Sequence, residues 1–228
     1  SGALGKIMRF TGTYDQDQLL DESLPITWRH INKLAGCGAL GDLGSHLLSI
    51  SQFIMGDITK VNAVATTVFP KRPKSAGSTE MVDVENEDIM TFMAEYANGA
   101  IGQIACSRVA TGRKNYLTYE IQGTKGSVRY DLERMGEVQV YFQSDNERDR
   151  GFRTVLLNPL MKGYSAFQPA GGISIAYNDM KILEVHALFD SITNGADYVT
   201  DFEFGYKIDR TVAAVIESSK THEWVDVK

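Results

Sequence analysis

Cysteine is scarce in this sequence: Cys37 and Cys106 are the only two in 228 residues. That is too few for the disulfide framework of a small secreted domain and suits a reducing compartment, so the cytoplasm is the expected location. With five prolines and no biased tract, the chain is neither collagen-like nor disordered. No apolar run approaches the ~20 residues of a membrane helix; Val212 to Ile216 is among the longest. No signal-peptide succession opens the chain, and no membrane partner is expected. Positive charge is in deficit as well. Against 29 acidic residues stand 23 basic ones, a net charge of −6, which repels phosphate backbones, so no nucleic-acid partner is expected. The densest basic stretches, Lys71-Arg72-Pro73-Lys74 and Arg113-Lys114, are short, and the first is expected to be a solvated loop. The chain opens Ser1-Gly2-Ala3 without an initiator methionine, from which a longer parent with sequence upstream is expected.

What is present is an ordinary globular composition, 43% apolar with ten Phe and ten Tyr. A chain of this length can bury roughly 70% of its unfolded surface in one large core. Period-2 alternation and β-branched or aromatic enrichment predict strands near residues 6–14, 60–69, 88–96, 100–108, 115–122, 127–132 and 137–143. Asn98-Gly99 carries a type I′ hairpin signal and Gly123-Thr124-Lys125-Gly126 closes another tight turn, so consecutive strands should run antiparallel as a meander. Helical periodicity covers 39–55, 178–193 and 204–219, with Gly56 and Gly195 as stops for the first two. No strand-helix-strand alternation occurs. The expectation is an α+β fold, an open and mostly antiparallel sheet with helices on one face. The other face, taken as apolar from Val64, Val68, Met90, Phe92 and Ile104, should then be covered by another subunit or domain. Long loops are expected at 71–86 and 144–172.

Gly36-Cys37-Gly38-Ala39-Leu40-Gly41 matches the dinucleotide fingerprint G-x-G-x-x-G letter for letter. Its context refuses that role, because the preceding Trp28 to Ala35 is polar and irregular where a buried strand is required. The glycines should instead give a tight entry into the next helix. On that helix Leu40, Leu43, Leu47, Ile50 and Ile54 form one apolar stripe, while Asp42 and His46 emerge four residues apart at its rim. A histidine flanked by a carboxylate is oriented and suited to proton transfer with an alcohol. The same spacing also serves an ordinary surface ion pair of a few tenths of a kcal/mol. It also fits two metal ligands, although no third ligand is in view and no metal is expected.

These residues are familiar as a set. Gly36 to His46, ending Gly41-Asp42-Leu43-Gly44-Ser45-His46, resembles the signature of the second domain of the glucose-fructose oxidoreductase, inositol dehydrogenase and rhizopine-catabolism (Gfo/Idh/MocA) family. Gly5-Lys6-Ile7, Thr13 to Asp17, Asn86-Glu87-Asp88, Asn98-Gly99-Ala100, Ser107-Arg108, Gly123 to Ser127 and Pro169-Ala170-Gly171 recur in the family's order. The resemblance spans nearly the whole chain and implies a single substrate-binding and oligomerisation domain over residues 1–228, of the glyceraldehyde-3-phosphate dehydrogenase C-terminal type. It further implies an NAD(P)-dependent, inositol 2-dehydrogenase-like parent acting on a sugar, cyclitol or other polyol. NAD or NADP would be held mainly by a dinucleotide-binding Rossmann domain that lies outside this chain, so the chain alone should be inactive. By position, His46 looks like the general acid/base and Asp42 like its orienting neighbour. Trp28 and Arg29 look like a wall and a hydrogen-bonding fork for substrate, and Tyr14 and Asp17 are further substrate-binding candidates. Cys37 stands where family members often carry a third glycine. A homodimer or homotetramer through the exposed sheet face is expected. The alternative from a different class is a non-catalytic sugar-sensing or scaffolding protein on the same fold.

Overall fold

The alternating segments assemble into one large sheet in a computed structural model that describes residues 2–161 and 163–228. The strands are β1 (Ile7–Asp15), β2 (Ile58–Thr66), β3 (Lys71–Pro73), β4 (Met81–Asp83), β5 (Ile89–Tyr96), β6 (Ile101–Ser107), β7 (Tyr116–Gly123), β8 (Gly126–Asp131), β9 (Glu137–Phe142), β10 (Arg153–Leu156) and β11 (Val225–Asp226). Nine of them form the sheet in the order β10-β9-β8-β7-β1-β6-β5-β2-β11, and β3 pairs only with β4. The fold is the α+β class expected. Every neighbouring pair in the large sheet is antiparallel except β1 and β6, which run parallel from Arg9 opposite Ile101 to Asp15 opposite Ser107.

That one parallel pair corrects the simple meander. The connection from β6 to β7 passes over the end of β1, and β1 fills the gap between them. The crossing is tied down by backbone bonds from Gln16 N to Ser107 O (2.8 Å) and from Ala110 N to Gln16 O (2.9 Å). The Asn98-Gly99 signal also needs correction. A type I′ turn requires positive φ at both residues, but only Gly99 has it (83°). Asn98 instead uses its side chain, with Oδ1 accepting from Ala100 N and Nδ2 donating to Met55 O.

The helices are α1 (Asn32–Ala35), α2 (Ser45–Met55), α3 (Tyr177–Asn194) and α4 (Phe202–Thr221). Apolar side chains of α2 and α4, among them Leu47, Leu48, Ala214 and Val215, meet Phe10, Val61, Met90, Phe92 and Ile104 from the sheet. Each fully buried Leu or Phe contributes roughly 1.5–3 kcal/mol. This packing overturns part of the oligomer argument, since Met90, Phe92 and Ile104 face the helices. The opposite face is mixed, with exposed Val64, Met93 and Ile101 interleaved with Arg9, Thr11, Thr91 and Gln103. Helix α3 buries none of its residues, leaving Ile182, Leu188, Phe189 and Ile192 exposed.

A π-helical turn, Leu40–Gly44, precedes α2, and Ser45 N donates to Leu40 O five residues back. The wider turn adds a residue to the local repeat and rotates everything that follows. The predicted stripe therefore holds through Leu40, Leu43 and Leu47 and then shifts to Leu48, Ser51, Gln52 and Met55, leaving Ile54 exposed.

Candidate functional site

The glycine-rich loop enters this π turn, and its anion slot is already filled. Gly38 N donates to both Glu87 carboxylate oxygens at 2.9 Å, and Leu40 N donates to Oε1 at 2.9 Å. Backbone follows side chain: Ala39 N donates to Glu87 O at 3.1 Å. A Cβ at position 38 would fall 1.9 Å from that carbonyl, which is why a glycine stands there. The free N–H groups of a helix start favour an anion, and here the chain's own carboxylate supplies it. The described residues thus offer no cradle for a dinucleotide pyrophosphate at this loop. Glu87 was visible in the sequence only as part of Asn86-Glu87-Asp88, because nothing local says which backbone a carboxylate will cap.

Next to Glu87, Asp88 is fully buried and pairs with Arg108, Nε to Oδ1 at 3.0 Å. Its other oxygen accepts from Val68 N and Phe69 N. Arg108 and Asn86 both donate to Arg29 O, at 3.3 and 2.9 Å. Arg108, which the sequence marks only within Ser107-Arg108, is therefore core, and it fixes the backbone of the segment that carries Trp28 and Arg29. Arg72 corrects another expectation, since it is fully buried in the supposed solvated loop and donates to Asp21 O (2.7 Å) and Leu19 O. The 71–86 loop holds the β3–β4 hairpin. His30 is buried as well, accepting from Thr27 N at Nδ1 (3.0 Å), and among the described residues its Nε2 has no partner. Burial and the nearby Arg108 and Arg72 charges hold its pKa below the ordinary histidine value.

Above this buried floor lies an open rim. A small cleft of about 180 Å³ is lined by Trp28, Arg29, Ala35, Cys37, Gly38, Gly41 and Asp42. The Arg29 guanidinium lies 4.6 Å from the Trp28 ring centre and reaches Asp42 with Nε at 3.4 Å from Oδ2. Burial, with the Glu87 charge nearby, pushes the Cys37 thiol up to about 11, so it stays protonated at neutral pH. Among the described residues no hydrogen bond joins Asp42 to His46; the carboxylate is engaged by Arg29 instead. His46 lies one turn further on, exposed, with its ring edge-on to the Tyr14 ring, centroids 5.9 Å apart. The Tyr14 hydroxyl donates to Asn115 Oδ1 at 2.6 Å. Burial holds its pKa above the usual phenol value, helped by the Tyr177 and Asp42 charges against the lowering effect of its Gln16 bond. Asp17 accepts from Lys114 Nζ at 2.6 Å, away from the cleft lining. Of the residues singled out by sequence, the structure brings Trp28, Arg29 and Asp42 together, sets Tyr14 against His46, and leaves Asp17 in an ion pair of its own. Among the described residues no three His, Cys, Asp or Glu side chains gather as a metal site would need, and no helix is long and apolar enough to cross a membrane.

The geometry has counterparts. Residues 1–129 match the family model described as the GFO/IDH/MocA C-terminal domain. A levoglucosan dehydrogenase of Pseudarthrobacter phenanthrenivorans is 38% identical over 239 residues, covering 99% of this chain and 61% of its own length. A solved levoglucosan dehydrogenase in complex with NADH and levoglucosan superposes over 100% of this chain and 60% of its own, with a TM-score of 0.94 at 38% identity. An NAD binding oxidoreductase from Klebsiella pneumoniae superposes with a TM-score of 0.95 at 39% identity, again over 100% and 60%. The chain thus spans about 60% of the length of these relatives.

Proposed function

The chain belongs to the Gfo/Idh/MocA family, and on that footing we propose that it is the substrate-binding and catalytic-base domain of an NAD-dependent sugar dehydrogenase. The observation that carries this reading is the rim itself: an imidazole and an Arg29–Asp42 pair, both open to solvent, on a floor that holds the buried Arg108–Asp88 pair. Levoglucosan is the first substrate to try, given the relatives. The inositol preference implied by the family resemblance has less support than a sugar.

In this reading His46 accepts the proton of the sugar hydroxyl being oxidised, a role typically worth ~10²- to 10⁴-fold. Asp42 and Arg29 bond neighbouring hydroxyls; a solvent-open ion pair gives up little stability when it changes partners. Trp28, 54% exposed, offers an apolar wall to the C–H face of a sugar ring. NAD supplies the hydride acceptor. Its pyrophosphate is held by sequence outside these 228 residues, a division supported by the Glu87-filled loop and the greater length of the NADH-binding relatives. Self-association through the open sheet face fits the exposed Val64, Met93 and Ile101 there.

The test is oxidation by the full-length protein of levoglucosan, D-apiose and myo-inositol with NAD⁺ or NADP⁺, for wild type and His46→Ala. Turnover of a sugar with NAD⁺, lost ~10²-fold or more in the variant, supports the reading. Sugar-dependent stabilisation without turnover of any of the three would favour a sensing role instead.

A further inference from the structure

A general base must be held in one orientation, yet among the described residues no hydrogen bond reaches the His46 ring. What touches it is Tyr14, the last inward-facing residue of β1, whose ring meets the imidazole at 66° with centroids 5.9 Å apart. We infer that Tyr14 is the positioning residue for His46 and is itself locked by Asn115 and Gln16; the inference rests on the reading of His46 as proton acceptor.

The lock is built from both sides. Asn115 Oδ1 accepts from the Tyr14 hydroxyl (2.6 Å) and from Gln16 Nε2 (3.0 Å), and Gln16 Nε2 also reaches the hydroxyl oxygen (3.3 Å). Each partner is anchored through its backbone. Gln16 is bonded to Ser107 and Ala110 across the β6–β7 crossing, and Asn115 N donates to Glu133 Oε1 at 3.0 Å. Tyr14 is 9% exposed and keeps its proton, because burial raises its pKa; the hydroxyl therefore remains a donor to Asn115 and does not compete for the substrate proton. An exposed histidine on a helix otherwise samples several rotamers. An edge-on aromatic neighbour that cannot move narrows that choice. The parallel insertion of β1 between β6 and β7 is what brings Tyr14, Gln16 and Asn115 to one point, so the sheet's one topological irregularity orients the base.

A double-mutant cycle in the full-length protein, assayed with levoglucosan and NAD⁺, tests this. Tyr14→Leu should lower kcat about 10- to 100-fold with little change in KM, and Tyr14→Phe, which keeps the ring but frees it from Asn115, should fall between Leu and wild type. In a His46→Ala background Tyr14→Leu should have no further effect, because the two act as one unit. Equal losses in both backgrounds, or an unchanged kcat in a folded Tyr14→Leu protein, would overturn the inference. An active His46→Ala protein would sink the reading of the base itself. A readout independent of turnover is the His46 Cε1–H resonance, assigned with His46→Gln. It should move and broaden in Tyr14→Phe and in Asn115→Ala, variants that leave the core in place; an unmoved resonance in both rejects the positioning role.

Discussion

Two arginine–aspartate pairs lie close together in this molecule and do different work. Arg108 and Asp88 are 2% and 0% exposed, whereas Arg29 and Asp42 are 45% and 42% exposed at nearly the same separation, 3.0 against 3.4 Å. In the buried pair every partner is fixed by a neighbour, since Asp88 also caps two backbone N–H groups and Arg108 also holds Arg29 O. Breaking it leaves an uncompensated charge in a low-dielectric interior. The rim pair is screened by water and can exchange one partner for another. The same chemistry thus makes a buried scaffold in one place and a solvent-open pair, proposed to meet ligand, beside it. The scaffold is tied to the rim through the carbonyl of Arg29.

Removing the scaffold is the sharpest way to break this comparison. Asp88→Ala should cost about 3–5 kcal/mol, read as a fall in the denaturant midpoint at constant slope; a loss comparable to that of a surface mutation would show that the pair is not structural. Gly38→Ala should come next, since its Cβ would meet the Glu87 carbonyl at 1.9 Å; overpacking costs ~1–3 kcal/mol. Gly41→Ala meets only the Cys37 sulfur, at 2.7 Å, and should be milder in the same melts. Glu87→Gln keeps the size but loses the charge facing the Gly38 and Leu40 N–H groups, and should cost about 1–2 kcal/mol. Asp42→Asn should change stability by less than ~0.5 kcal/mol while raising KM for the oxidised sugar. A large stability loss with unchanged KM would place Asp42 in the scaffold.

A pH effect sharpens the contrast further. His30 lies between the floor arginines and Asp88, and its folded pKa is lowered. Between that folded value and the ordinary histidine pKa of about 6.5, the unfolded chain binds a proton that the folded chain does not. The contribution is therefore fully present above pH ~6.5 and is lost as pH falls through the folded value. Thermal melts of wild type and His30→Asn over that window should converge as pH falls; parallel curves would remove His30 as the cause.

Much of the fold was legible because strand and helix periods are local. All seven predicted strands are present, and the three predicted helices begin and end within a few residues of their ranges, as the first one's stop at Gly56 (φ 90°) illustrates. The rejection of Gly36 to Gly41 as a nucleotide loop also rested on local context. What was missed was weakly patterned or distant. The strands β3, β4, β10 and β11 have four residues or fewer. The π turn leaves no mark in the spacing of Leu40, Leu43 and Leu47, and it became visible only where burial passes to Ser51 and Gln52.

At the candidate site the division is similar. Sequence by itself nominated the residues proposed to carry the chemistry, Asp42 and His46 one turn apart with Trp28 and Arg29 just before them, because type and spacing are written in the chain. Only the tertiary structure decided their partners: Arg29 for Asp42, Tyr14 for His46, Glu87 for the glycine loop and Asp88 for Arg108. Apart from Arg29, which lies thirteen residues from Asp42 across a reversing loop, these partners come from β1 or from the segment leading into β5. An ion or an aromatic ring is placed by whichever chain segment the sheet order brings beside it, and that order is a property of the assembled sheet, which no local period encodes.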